Sequence, residues 1–208
     1  APNSYTLLPA PPAVDSAAFG ADQEAFRATR TLINTPRWTM AAKDANLHFP
    51  KAPEAFSCAL RAPITQEAMP NLYTLMHRTL TDAGYATYAA KIKYNRPRPF
   101  VVNQQTSCTP DEEAKLAKDG SYPSGHSAIG WAWALILAEI APERADAILS
   151  RGFAFGQSRV ICGVHWQSDV NASRVVAAAV VAKLHADPVF LAQLEEAKKE
   201  LNNVRAKN

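Results

Sequence analysis

Ser124-Gly-His-Ser-Ala-Ile-Gly-Trp-Ala-Trp-Ala-Leu-Ile-Leu-Ala-Glu-Ile140 contains the longest apolar run in the chain, and the fold is read outward from it. Ser124 suits an N-cap, because its hydroxyl can accept from a free backbone N–H of the first turn, and the helix it opens runs to Ile140. The apolar part, Ala128 to Ile140, falls short of the roughly 20 residues of a membrane span and is interrupted by Glu139. Trp131 and Trp133 suit either a core or an interface.

On both sides the periodicity stays helical. Downstream, Pro142 starts a helix towards Cys162, an Ala- and Val-rich helix follows from about Ser168 to His185, and Pro188 opens a last amphipathic helix. Upstream, Pro70 opens a long helix on which Leu72, Leu75, Leu80 and Ala83 recur; it is open to interruption near Gly84 and is ended by Pro97 and Pro99. Residues 100–122 read as loop with a short charged helix near Asp111 to Lys118. Thr35-Pro36 reads as a cap and first-turn proline for a helix to Leu47, and a short helix is expected over 52–60. In 18–34, Phe19, Phe26, Leu32 and Ile33 share a face. Residues 1–15, with Pro9, Pro11 and Pro12, read as an extended surface arm, and 16–208 as one all-α domain of eight to ten helices.

Composition fits this reading. The 208 residues are 48% hydrophobic and 20% charged, ordinary for a globular domain. A net charge of +3 without any run of Lys and Arg argues for a local anion site and against a nucleic-acid surface. Cys58, Cys108 and Cys162 allow any one of three disulfides, or three buried thiols; no pairing with zinc-site spacing accompanies them, so no metal is expected. The start Ala-Pro-Asn-Ser, without Met, is compatible with a mature terminus after signal cleavage, hence a periplasmic or secreted location.

Three polar segments interrupt the apolar pattern. In Pro123-Ser124-Gly125-His126 a loop becomes a helix: free N–H groups and the helix dipole favour an anion there, Ser124 adds a hydroxyl, Gly125 permits close approach, and His126 can give a proton. In Ser158-Arg159…His165…Asp169, the carboxylate four residues on can fix the imidazole tautomer and leave the other ring nitrogen as a nucleophile, while Arg159 offers a planar fork to phosphate oxygens. In Lys91…Arg98-Pro99 two cations stand without a nearby acid, whereas Lys93 and Arg96 read as exposed. Each segment alone has a plain explanation as a cap, a helix start or a solvated basic end. Together they meet the needs of phosphoryl transfer: neutralised oxygens, an in-line nucleophile and an acid for the leaving group.

The eleven residues Lys91, Arg98, Pro99, Pro123 to His126, Ser158, Arg159, His165 and Asp169 match K-x6-R-P, P-S-G-H and S-R-x5-H-x3-D in order. The chain thereby resembles the phosphatidic acid phosphatase type 2 and vanadium haloperoxidase superfamily. Gly120-Ser-Tyr-Pro-Ser-Gly-His, His165-Trp-Gln-Ser-Asp169 and the opening Leu7-Leu-Pro-Ala-Pro-Pro look most like bacterial class A non-specific acid phosphatases. The resemblance implies a helical bundle and broad hydrolysis of small phosphate monoesters without a cofactor. It also implies inhibition by inorganic phosphate or vanadate, and homo-oligomers among the relatives. It implies that Lys91, Arg98, Arg159, Ser124 and the Gly125 N–H hold phosphate, that His165 is phosphorylated and oriented by Asp169, and that His126 protonates the leaving group. A vanadate haloperoxidase, a lipid phosphate phosphatase and a non-catalytic phosphate binder are the alternatives.

Overall fold

A computed structural model describes residues 1–206, and in it the chain is all-α, with no strand among the described residues. The helices are α1 (Ser4–Leu7), α2 (Ala17–Thr29), α3 (Pro36–Asp44), α4 (Ser57–Leu60), α5 (Pro70–Ala86) and α6 (Tyr88–Tyr94). They continue as α7 (Pro99–Asn103), α8 (Glu113–Leu116), α9 (Gly125–Ile140), α10 (Ala145–Ile161), α11 (Gln167–Leu184) and α12 (Pro188–Ala206). The last two residues of the expected 16–208 domain lie outside the described residues.

The helix read from Ser124 is the axis of the molecule. Apolar nearly all round, α9 buries residues on every side, from Ala128 and Ile129 to Leu137 and Ile140, as a central helix must. It packs against α10, α11 and α5, and α12 closes over α5. Trp133 belongs to this core, fully buried, with its indole N–H donating to the Met76 carbonyl at 2.9 Å. The α9–α10 contact depends on glycine: a Cβ on Gly130 would lie 2.3 Å from the Phe155 ring, and one on Gly152 would lie 2.3 Å from the Ala134 Cβ. No single helix among the described residues is long and apolar enough to cross a membrane.

Capping follows the expected chemistry. Thr35 accepts from the Trp38 N–H with Pro36 in the first turn, and Ser124 accepts from the Ser127 N–H. Five local expectations are corrected. The opening is not extended throughout: Asn3 caps a helical turn that ends before Pro9 is reached, and Ser4 and Leu8 are buried. The Ser4 hydroxyl accepts from the Ala90 N–H, tying the arm to α6. The α5–α6 break falls at Thr87, whose hydroxyl donates to the Gly84 carbonyl, and Gly84 stays helical. Residues 100–122 are not loop up to Asp111: α6 does stop at Tyr94, ahead of the prolines, but Pro99 opens α7, because a first-turn residue needs no N–H. Finally, α3 stops at Asp44, short of Leu47, and Ile33 lies beyond α2, 41% exposed.

Candidate phosphate-binding site

The three polar segments meet at one cavity of about 440 Å³ whose lining includes Lys91, Arg98, Gly125, His126, Arg159 and His165. Lys91 arrives on the last turns of α6. Its stem is buried, and its ammonium donates to the Gly120 carbonyl at 2.6 Å. Burial, reinforced by the charge on Arg98, lowers its pKa to about 8. Arg98 does not share a helical face with Lys91, because the helix ends at Tyr94 and Asn95 turns the chain with a left-handed φ of 39°. Its Nε donates to the Leu116 and Asp119 carbonyls (2.8 and 3.0 Å), its Nη1 to the Val164 carbonyl (3.0 Å), and its Nη2 to the Asp119 carboxylate (3.0 Å).

Arg159 differs from the other two cations. It is 0% exposed on α10, and none of its three guanidinium nitrogens has a hydrogen-bond partner among the described residues. A buried donor fork without acceptors carries the full desolvation cost, and burial, then Arg98, lowers its pKa to about 10. An oxyanion in the cavity would supply the missing acceptors.

His165 lies in the loop between α10 and α11, not on α11 itself, which begins at Gln167. The Asp169 contact forms nonetheless, with Nδ1 3.4 Å from Oδ2. Arg98 Nη1 lies 3.1 Å from Nε2, and a guanidinium can only donate. Nε2 is therefore the lone-pair nitrogen and Nδ1 carries the hydrogen. Burial, then the positive charges of Arg98, Lys91 and Arg159, hold His165 well below the usual histidine range. Asp169 also accepts from the Trp166 N–H at 2.8 Å, the carboxylate half of a capping box, so its helix-start and histidine-orienting functions coexist.

His126 sits on the first turn of α9. Its Nε2 donates to the Ala45 carbonyl at 2.9 Å, which leaves Nδ1 for proton transfer. Burial, then Arg159, also holds His126 well below the usual histidine range. Beside it, a Cβ on Gly125 would meet nothing closer than Thr87 Oγ1 at 3.7 Å, so the protein leaves the Gly125 backbone open to approach. Ser124 stands behind the lining; it is fully buried and accepts from the Ser127 N–H and hydroxyl, with its own proton left to donate. Among the described residues no group of three or more His, Cys, Asp or Glu is placed to hold a metal ion.

Three contributions escaped the sequence reading. Arg96 was expected to be exposed like Lys93, which is exposed. Instead Arg96 is buried, bridging Asp169 (2.6 Å) and Asp22 of α2 (2.8 Å), because the turn after α6 brings it under His165. Asp44, at the end of α3, accepts from Arg151 and from the Ser158 hydroxyl (2.6 Å), which explains the serine of the S-R pair. Asp119 contacts both Lys91 and Arg98. Of the open cysteine pairings, Cys108–Cys162 is the disulfide formed, and Cys58 is free and exposed.

A model of the PAP2 superfamily matches residues 72–190, which include every residue of the three segments. A non-specific acid phosphatase of Providencia stuartii is 50% identical over 204 residues, 98% of this chain and 82% of that protein. A non-specific acid phosphatase of Salmonella typhimurium is 44% identical over 202 residues, 97% of this chain and 81% of its own length. An acid phosphatase of Zymomonas mobilis is 41% identical over 198 residues, 95% and 75% respectively.

Proposed function

The chain belongs to the PAP2 superfamily, among its non-specific acid phosphatases, and from that premise we propose that it hydrolyses phosphate monoesters through a phosphohistidine on His165. It is a phosphoric monoester hydrolase; the intermediate, the residue roles and the metal-free chemistry are the proposal. The observation that carries it is the unpartnered, fully buried Arg159 guanidinium lining the same cavity as the His165 ring.

Substrate phosphate takes donors from Arg159, Lys91 and Arg98, with Ser124 and the Gly125 N–H completing the set. In accepting from Arg98 Nη1 it replaces His165 as the acceptor and frees the Nε2 lone pair. Nε2 then bonds to phosphorus while the ester P–O bond breaks, and Nδ1–H stays on the side of Asp169. The departing alkoxide takes the proton from His126 Nδ1. In the second half a water gives that position a proton and attacks phosphorus, the P–N bond breaks, and its electron pair returns to Nε2. Three cations supply the charge neutralisation that a divalent ion supplies elsewhere.

Because burial, then the neighbouring Arg159, holds His126 neutral, its acid function requires the bound dianion to restore proton affinity, which supports an acidic optimum. Much of the remaining lining is apolar or aromatic (Leu47, Leu80, Tyr85, Tyr88, Leu116 and Ile129), and such non-directional contacts support a broad substrate range. Inorganic phosphate and vanadate should compete at the same donors. The Cys108–Cys162 disulfide supports a periplasmic or secreted location, since such bonds persist in oxidising compartments.

The test is to mix enzyme with an aryl phosphate in the presence of chelator, quench in alkali, and locate the label by peptide mapping. Label on the His165 peptide, absent from His165→Ala, is the expected result. A fully active His165→Ala enzyme, or label elsewhere, sinks the proposal.

A further inference from the structure

Arg98 has all its nitrogens engaged, yet not equally. Nε and Nη1 hold backbone carbonyls of Leu116, Asp119 and Val164, which cannot leave without unfolding the loop. Nη2 has the Asp119 carboxylate at 3.0 Å and otherwise only the Gly120 carbonyl at 3.5 Å. The same carboxylate oxygen lies 3.7 Å from Lys91 Nζ. Asp119 is 48% exposed at the cavity while both cations are almost fully buried, so the carboxylate caps the pair from the solvent side.

Backbone carbonyls already fix the guanidinium, so the carboxylate is not needed to position it. We propose that Asp119 is an internal counter-anion that substrate and product phosphate must displace from Arg98 and Lys91, and that it weakens phosphate binding and speeds product release. This rests on the reading of the cavity as the phosphate site. Two properties follow from an anion tethered at that place. Both cations are partly neutralised when phosphate is absent, and a dianion entering the cavity meets a negative charge that swings outward into water. A half-exposed pair is worth little, so the expected effect is about fivefold in affinity.

The experiment is calorimetric titration of wild type, Asp119→Asn and Asp119→Ser with inorganic phosphate at fixed ionic strength, with thermal midpoints checked for each. Both variants should bind phosphate about fivefold more tightly. Glu112→Gln serves as the charge control: Glu112 acts on Arg98 and Arg159 only at a distance, so its removal should change affinity less than about twofold. Unchanged or weaker binding in the Asp119 variants overturns the proposal, and so does an equal gain in Glu112→Gln. Calorimetry reads binding without turnover. Loss of the phosphohistidine mechanism would therefore leave this test standing, and a labelled His165 with unaltered Asp119→Asn affinity would defeat this inference alone.

Discussion

Replacing Arg96 by Met tests whether the buried chain Asp22–Arg96–Asp169–His165 is one electrostatic unit. Arg96 is 6% exposed, Asp22 3% and Asp169 0%, so removal of the guanidinium leaves two carboxylates in the interior with only neutral donors. Asp22 would keep the Ser168 N–H and hydroxyl, and Asp169 the Trp166 N–H and His165. Breaking a buried pair from one side costs about 3–5 kcal/mol. At roughly 2–4 °C per kcal/mol for a chain of this size, the melting midpoint should fall by roughly 10 °C. The loss must also depend on pH. Burial raises the Asp169 pKa above 3.8, and Arg96 is the main influence holding it down. A carboxyl whose folded pKa is raised contributes stability that is complete below the unfolded value and lost as pH rises through the folded one. Without Arg96 the folded value moves further up, so protonation relieves part of the damage. Urea unfolding of Arg96→Met and wild type should therefore show a difference at about pH 5 smaller than at about pH 8, by about 1 kcal/mol or more. Equal differences at the two pH values, or an unchanged midpoint, would refute the reasoning.

Three further outcomes follow. Arg159→Met should abolish measurable phosphate binding by calorimetry yet raise unfolding stability by about 1–3 kcal/mol, because it removes a buried charge that lacks partners. Asp44→Asn loosens the hold of Arg151 and Ser158 on the end of α3, and so the Ala45 carbonyl that holds His126. Its kcat loss should therefore grow with the pKa of the leaving alcohol, larger for an alkyl than for a nitrophenyl phosphate; equal losses would argue against it. Cys108→Ala opens a loop of 54 residues and should cost about 4 kcal/mol in denaturant unfolding, whereas Cys58→Ala should cost almost nothing.

The sequence reading reached the helical architecture because its signals are local. Ser124, Thr35 and the first-turn prolines act within a few residues of themselves, and α9 is apolar enough to be central wherever it is placed. Lys91, Arg98, His126, Arg159 and His165 were legible for a different reason: their types and spacing describe a chemistry. What could not be read were the partners chosen across the fold. Arg96 stands between Asn95 and Pro97 and looks like any solvated cation; only the approach of α2 and the start of α11 gives it Asp22 and Asp169. Asp119 sits in a charged loop where an acid is unremarkable until the Arg98 guanidinium is beneath it. Thr87 broke a helix that Gly84 was expected to break, because a buried threonine hydroxyl returning to the chain cannot be weighed without its surroundings.

The three cations of the cavity are stabilised to very different degrees, and the order has a functional sense. Lys91 has the Gly120 carbonyl and, more distantly, Asp119; Arg98 has carbonyls and Asp119; and Arg159 has no hydrogen-bond partner among the described residues. A site built for stability alone would have paired the deepest charge first. On the proposed reading the deepest charge is left for the ligand: the fold carries an unfavourable term that an anion at the cavity would remove, and the binding energy released there would scale with that term. The term sits where α10 packs against the central helix, and the Gly130 and Gly152 contacts already demand close packing there. That rigid support keeps Arg159 from swinging out to water for its own hydration. The same rigidity keeps His165 neutral, since any relaxation that solvated the cations would also let the ring take a proton and lose its lone pair. In the proposed mechanism, nucleophile and anion site are thus sustained by a single condition, a dry and positively charged cavity wall.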